Sequence, residues 1–325
     1  MMLGIDLGGT KIAYAVVHPG SATVVARLQT ETRSHEGAAA VLARMIADCT
    51  AVCAQAGIHT RALLGVGVGV PGVFDDTTGC TLFLPNLHGT WPNVPVVETL
   101  STALGCPVWL VNDARAFVLA EAIHGAGAGY DNIVGFTLGT GIGGGVVINR
   151  QLYLGIDGTA GEFGHQTIAL DGPRCGCGNH GCLEAFASGP AILSRADALL
   201  AAGDAPHLKA ALAAGHAYTP ALVASSAGAG DRGLAALLQQ VYAAIGAGVA
   251  NVVTLFSPQV VVLGGSVSNL GAPLFAAVQE VVQTRCRATP VERISIVPAR
   301  LGADAGVLGA AQWAAHRSRQ KENQQ

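Results

Sequence analysis

The chain has 325 residues, half of them apolar, with a formal net charge of −3. That length exceeds one simple core and suits two domains of about 100–200 residues each. A slightly acidic chain without a basic cluster excludes nucleic acid as its main partner.

In chain order, a buried strand at 3–7 is followed by a tight glycine turn at 8–10 and a returning strand at 11–17. A third strand at 23–30, an alanine-rich helix at 36–57 and a buried strand at 64–70 ending in Pro71-Gly72 come next. After a loop rich in turn residues, a strand at 108–111 delivers Asn112-Asp113, and a helix at 114–124 begins there. The theme then repeats: a buried strand at 133–138, a turn at Gly139-Thr140-Gly141 and a returning strand at 143–149. Two copies of one strand, turn, strand unit describe a duplicated α/β architecture with a cleft between its halves.

Residues 233–279 carry no charge, and 237–256 is long enough to span a bilayer. The stretch nevertheless holds Gln239, Gln240 and Asn251, lacks aromatic or basic flanks, and runs into Pro258 and a short strand at 259–263. It reads as a helix buried in a soluble domain, with no membrane partner. The first domain is placed at 1–112, rejoined by a helix at 306–316. The second spans 113–305, and 317–325 is a frayed polar tail.

The densest chemistry lies in residues 161–184. His165, Cys175, Cys177 and Cys182 fall within eighteen residues, among glycines that let a loop fold back. Zn²⁺ needs four soft or borderline donors converging at roughly 2.0–2.3 Å, and a Cys-x-Cys with a nearby third Cys and a His supplies them. Glu162 and Glu184 bracket the cluster, and two spare carboxylates oriented by a metal suggest a polyol site beside it. The other cysteines, at 49, 53, 80, 106 and 286, are scattered; with no signal peptide ahead of the first strand they indicate a reducing cytoplasm. Residues 139–144 fit a GxGxxG pattern, but β-branched residues follow where a dinucleotide site needs a helix, which excludes that reading.

Glu162-Phe163-Gly164-His165 and the later Cys175-Gly176-Cys177-Gly178-Asn179-His180-Gly181-Cys182-Leu183-Glu184 resemble the paired signature of the ROK family of sugar kinases and sugar-responsive repressors. The resemblance implies the actin-like, ribonuclease-H-like fold of sugar kinases. It makes Asp6, Gly8, Gly9, Thr10 and Lys11 the first phosphate-binding hairpin, with Asp6 near Mg²⁺; glycines there let phosphate oxygens approach backbone N–H groups. Gly139, Thr140 and Gly141 become the second phosphate turn, and Gly264, Gly265 and Ser266 the adenosine loop. Asp113, whose position also suits a helix N-cap, becomes the general base and contacts the substrate. Gly72, Asn86, Asn112, Glu162, His165 and Glu184 become holders of sugar hydroxyls, His165 serving metal and sugar with its two ring nitrogens. Four protein ligands make the zinc structural, with His180 a spectator.

Two departures stand out. Arg115 replaces an asparagine two residues after the base, where it either alters the base's surroundings or points to solvent. Thr90 adds a residue to Pro85-Asn86-Leu87-His88-Gly89-Thr90-Trp91, which otherwise resembles the PNLxGW segment of bacterial ROK glucokinases.

The implied activity is that of a cytoplasmic, homodimeric or homotetrameric kinase of carbohydrate metabolism and glycolysis. It transfers a phosphoryl group from ATP to the 6-hydroxyl of a hexose, glucose first. Fructose, N-acetylglucosamine, N-acetylmannosamine and allose are alternative acceptors, and polyphosphate or ADP alternative donors. The rival class is a sugar-sensing regulator, disfavoured because the family's repressors carry a helix-turn-helix ahead of a hairpin that here begins at residue 3.

Overall fold

Residues 65–70 read Gly-Val-Gly-Val-Gly-Val, a period-two pattern that gives a strand one face of valines and one face without side chains. The computed structural model, which describes residues 1–322, shows the use of both faces. The chain divides into two units, one of Met1–Gly129, Gln151–Ala160 and the chain from Arg300 onward, the other of Tyr130–Arg150 and Gly161–Ala299.

The first unit contains β1 (Met2–Leu7), β2 (Lys11–Val17), β3 (Val24–Glu31), α1 (Ala38–Gln55) and β4 (Gly65–Val70). A small hairpin, β5 (Val73–Asp75) with β6 (Cys80–Phe83), precedes α2 (Val96–Leu104), β7 (Val108–Asn112) and α3 (Asp113–His124). The main sheet has the order β3-β2-β1-β4-β7, with β1, β4 and β7 parallel. Val66, Val68 and Val70 join the core formed by Val41, Leu42 and Met45 of α1 and Leu100 of α2. The bare face receives the C-terminal helix, Ala305–Glu322, so closely that a Cβ on Gly67 would overlap the Ala310 carbonyl and one on Gly4 the Val307 carbonyl. Gly67→Ala is therefore expected to cost about 1–3 kcal/mol or more by overpacking, read as a melting temperature lower by roughly 2–10 °C. A thermal scan matching wild type would contradict this account of the interface.

The sequence placed the first boundary at 112, whereas the first unit runs on to Gly129. The reason is packing: α3 lies along the C-terminal helix, and Glu121 of α3 holds the segment that leads into that helix. The fully buried Glu121 carboxylate accepts N–H bonds from Ala126 (2.8 Å), Arg300 (2.9 Å) and Leu301 (2.8 Å). Residues 151–160 also belong here, since Leu152 and Leu154 pack on the cluster around Trp313. The expected tail is helical to Glu322: Arg317 pairs with Asp76 at 2.8 Å and lies over the Trp313 ring. Residues 323–325 lie outside the described residues.

The second unit starts with β8 (Ile133–Leu138) and β9 (Ile142–Ile148); the short β10 (Gln151–Tyr153) follows in sequence. Then come α4 (Leu183–Ala187), α5 (Gly189–Ala202), α6 (Pro206–Ala213), α7 (Pro220–Ala229), α8 (Arg232–Phe256), β11 (Val260–Gly264), α9 (Ala272–Arg285) and β12 (Ser295–Pro298). Its strands pair in the order β9-β8-β11-β12, repeating β2-β1-β4-β7 of the first unit with the same antiparallel and parallel neighbours. By length and composition alone, α1 and α8 could each cross a membrane. In α8 the apolar surface is spent on the core instead: Leu237, Val241, Ile245, Val249 and Val253 are buried, and α4, α5, α7 and α9 pack around it.

Candidate functional site

Because β1, β4 and β7 run parallel, their carboxyl ends open side by side, which is where open α/β sheets place ligands. The segments leaving these ends carry the Asp6–Lys11 turn, Gly72, and Asn112-Asp113. Asp6 and Asp113 are neighbours: the Asp6 carboxylate and the Asp113 Cα lie 3.8 and 3.9 Å from where a side chain on Gly69 would begin. Burial pushes the Asp6 carboxyl above its ordinary range, an effect the Lys11 charge partly offsets. In the turn itself, Gly8 N–H donates to the Lys11 carbonyl at 3.0 Å, and Gly9 lies so close to the Asn86 carbonyl that a Cβ would not fit. Sequence reasoning missed Thr32. Its hydroxyl donates to the Gly8 carbonyl at 2.6 Å and its N–H to the Thr10 carbonyl at 2.9 Å, from more than twenty residues away and with no local motif.

The N-cap of α3 is Asn112, not Asp113. Asn112 Oδ1 accepts from Ala114 N–H (3.1 Å) and Arg115 N–H (3.3 Å), while its Nδ2 donates to the Gly72 carbonyl at 3.3 Å. Asp113 is the first helical residue; its Oδ1 accepts from Ala114 N–H at 2.8 Å. Arg115 does not reach solvent: it is buried, and its Nε donates to the Ala160 carbonyl at 2.7 Å. The extra Thr90 is absorbed after Asn86, in a left-handed stretch with φ of 53° at Thr90 and 50° at Trp91, closed by Leu84 N–H to the Thr90 carbonyl at 2.8 Å.

In the second unit, β8 and β9 are joined through Gly139–Gly141, with Gly139 N–H donating to the Gly141 carbonyl at 2.9 Å. A strand follows the glycines, as expected against a dinucleotide site. Since β11 is the parallel neighbour of β8, Gly264-Gly265-Ser266 leaves the sheet beside this turn. Val267 N–H bonds the Leu138 carbonyl at 2.8 Å, and Ser266 Oγ lies over Gly139. The two glycine segments, 125 residues apart in sequence, thus lie side by side at the end of the sheet. Glu184 lies against the first of them: its Oε2 accepts the Ile142 N–H at 2.8 Å.

The donor atoms of His165, Cys175, Cys177 and Cys182 all lie within 4.8 Å of one another. Cys177 and Cys182 sulfurs are 3.7 Å apart, and Cys175 Sγ is 3.8 Å from His165 Nδ1. Two sulfurs each about 2.3 Å from one tetrahedral Zn²⁺ would stand about 3.8 Å apart, so the residues fit that ion. Burial pushes the Cys182 thiol up to about 12, so a thiolate there calls for a cation beside it. The backbone N–H of Asn179 lowers the Cys177 thiol. Asn179, which the sequence did not single out, also braces the loop through its side chain, donating to Thr167 Oγ1 at 3.1 Å. His180 stands outside the four-donor group, with Nδ1 3.4 Å from the Gly172 carbonyl. Glu162 is exposed at the start of the single turn Phe163–His165, so the ring nitrogen of His165 not aimed at the sulfurs and the Glu162 carboxylate border the same short segment.

Comparison with known proteins gives a consistent picture. The ROK family model matches residues 2–317. A glucokinase of Thermotoga maritima is 36% identical over 326 residues, covering 95% of this chain and 96% of that protein. Among solved structures, a ROK hexokinase from Thermus thermophilus has a TM-score of 0.83 at 34% identity, covering 98% of this chain and 99% of its own. A ROK family glucokinase from Streptomyces griseus, in complex with glucose and AMPPNP, has a TM-score of 0.80 at 31% identity and covers 97% of this chain and 99% of its own.

Proposed function

The chain belongs to the ROK family, and from that membership we propose that it is an ATP-dependent hexose kinase with glucose as its preferred substrate. Its fold is the actin-like, two-domain fold of ROK sugar kinases, present here as the repeated sheet order. The observation that carries the catalytic reading is the division of labour at the start of α3. Asn112 satisfies the helix cap, so Asp113 is not needed as the cap and sits beside Asp6 at the strand ends.

A sugar hydroxyl is a poor nucleophile at neutral pH. In this reading Asp113 takes the 6-hydroxyl proton as that oxygen bonds to the γ-phosphorus and the bond to the bridging oxygen of ADP breaks, with the proton left on the carboxylate. Backbone N–H groups of the Gly8–Thr10 and Gly139–Gly141 turns, with Lys11, hold the phosphate oxygens, and Gly264, Gly265 and Ser266 the adenosine. Asp6 would hold Mg²⁺, directly or through its water shell; the ion's contribution is to neutralise phosphate charge. Gly72, Asn86, Asn112, Glu162, His165 and Glu184 hold sugar hydroxyls. His165, Cys175, Cys177 and Cys182 would hold a structural Zn²⁺, whose service is to fix the loop carrying three of those groups.

A coupled assay over a sugar panel with ATP, ADP and polyphosphate tests the reading. A pocket that bonds hydroxyls rejects analogues leaving its groups unpaired by up to about 10⁴-fold. Glucose with Mg·ATP should give the highest kcat/KM, mannose or glucosamine less, fructose and N-acetylated hexosamines least. Higher kcat/KM for fructose or an N-acetylhexosamine would end the glucose assignment and keep the hexose kinase. In parallel, duplex DNA should show no glucose-dependent mobility shift at physiological salt, and a clear shift would favour a regulator.

A further inference from the structure

Glu184 is counted among the sugar ligands, yet one oxygen of its carboxylate also faces the glycine turn. Oε2 accepts the Ile142 N–H at 2.8 Å and lies 2.8 Å from where a side chain on Gly141 would begin, so a side chain at 141 would displace this carboxylate. The same short helix, α4, follows directly on Cys182 and leads into Gly189, whose N–H donates to the Gly139 carbonyl at 2.8 Å. Leu183 N–H in turn donates to the carbonyl of Gln166, the residue after His165, at 3.0 Å. The Gly139–Ile142 turn is thus gripped at both ends by one stretch, 184–189, that is covalently continuous with the four-donor loop.

We infer that Glu184 is a positioning residue for nucleotide: by holding the Ile142 N–H it sets the shape of the glycine turn that receives ATP phosphate, and couples that turn to the Cys/His loop. A glycine-rich turn is conformationally permissive, and its amides bind phosphate only when something else fixes their direction. A carboxylate accepting a backbone N–H makes a strong, directional bond for that purpose. The inference rests on the kinase reading and adds a nucleotide-side role to a residue otherwise assigned to sugar.

Two substitutions separate reach from charge. Glu184→Gln keeps an oxygen at the same length and can still accept the Ile142 N–H. Glu184→Asp keeps the charge but withdraws it by one methylene, about 1.5 Å. The measurement is the Kd of Mg·AMPPNP by calorimetry in the absence of sugar, with KM for ATP and for glucose alongside. Glu184→Asp is expected to raise the nucleotide Kd and the KM for ATP at least tenfold, and Glu184→Gln to keep both within about threefold of wild type while its KM for glucose rises. A Glu184→Asp protein with wild-type nucleotide Kd overturns the inference, as does a Glu184→Gln protein weaker for nucleotide than Glu184→Asp, since charge rather than reach would then matter. If Glu184→Asp does not fold, Glu184→Gln decides alone: retention within threefold supports the inference and a tenfold loss overturns it. Wild-type protein that binds no Mg·AMPPNP removes the kinase reading itself, a result distinct from failure of the Glu184 role.

Discussion

Asp113→Asn should lower kcat at least about 10²-fold, and up to about 10⁴-fold, while glucose affinity changes little. The amide has the same size and can still accept the Ala114 N–H that Asp113 Oδ1 accepts at 2.8 Å, and the helix cap rests on Asn112, so the start of α3 keeps its cap. What the amide lacks is a site for the hydroxyl proton. Asp6 makes a useful contrast, because it is a neighbouring carboxylate whose proposed task is Mg²⁺ and not the proton. Asp6→Asn should raise the Mg²⁺ concentration needed for half-maximal rate, which Asp113→Asn should leave unchanged. Steady-state kinetics with Mg²⁺ as a variable distinguish the two, and an Asp113→Asn enzyme above a tenth of wild-type kcat would remove the base assignment.

The second large effect concerns the metal. Purified protein should carry about one Zn²⁺ per chain by elemental analysis. Cys177→Ala, or chelation, should lower the melting temperature by roughly 10 °C or more, because the metal's binding energy is folding energy for a loop that has little core of its own. Residues 176–180 are all exposed, and only Cys175 and Cys182 among the sulfur donors are buried, so few apolar contacts would replace the ion. The KM for glucose should rise at least about tenfold in the same protein, since the proposed sugar ligands Glu162, His165 and Glu184 border this loop. Fully active protein without zinc would contradict both halves of the prediction.

Much of the molecule was legible in the sequence for one physical reason: its signals are local. Short apolar runs ending in glycine or proline give the buried strands, glycine gives the turns at 8–9 and 139–141, and the order of elements gives the duplication that the two sheets display. The Cys/His cluster was readable because four donors within eighteen residues can meet around one ion without long-range help. What local pattern could not supply was the commitment of each polar atom once distant segments pack. The C-terminal helix fills the bare face of the Gly-Val strand and draws α3 into the first unit, which moved the boundary from 112 to Gly129. Asn112 rather than Asp113 caps α3 because its Nδ2 is also held by Gly72, forty residues earlier. Arg115 is buried because a carbonyl at 160 receives it, and Thr32 closes the first turn because β3 ends beside it. Glu184 reads in sequence as the last letter of a metal motif, but the fold sets it against Ile142, forty-two residues away. Hydrogen-bond partners are chosen by burial and reach in three dimensions, and only tertiary structure decides those.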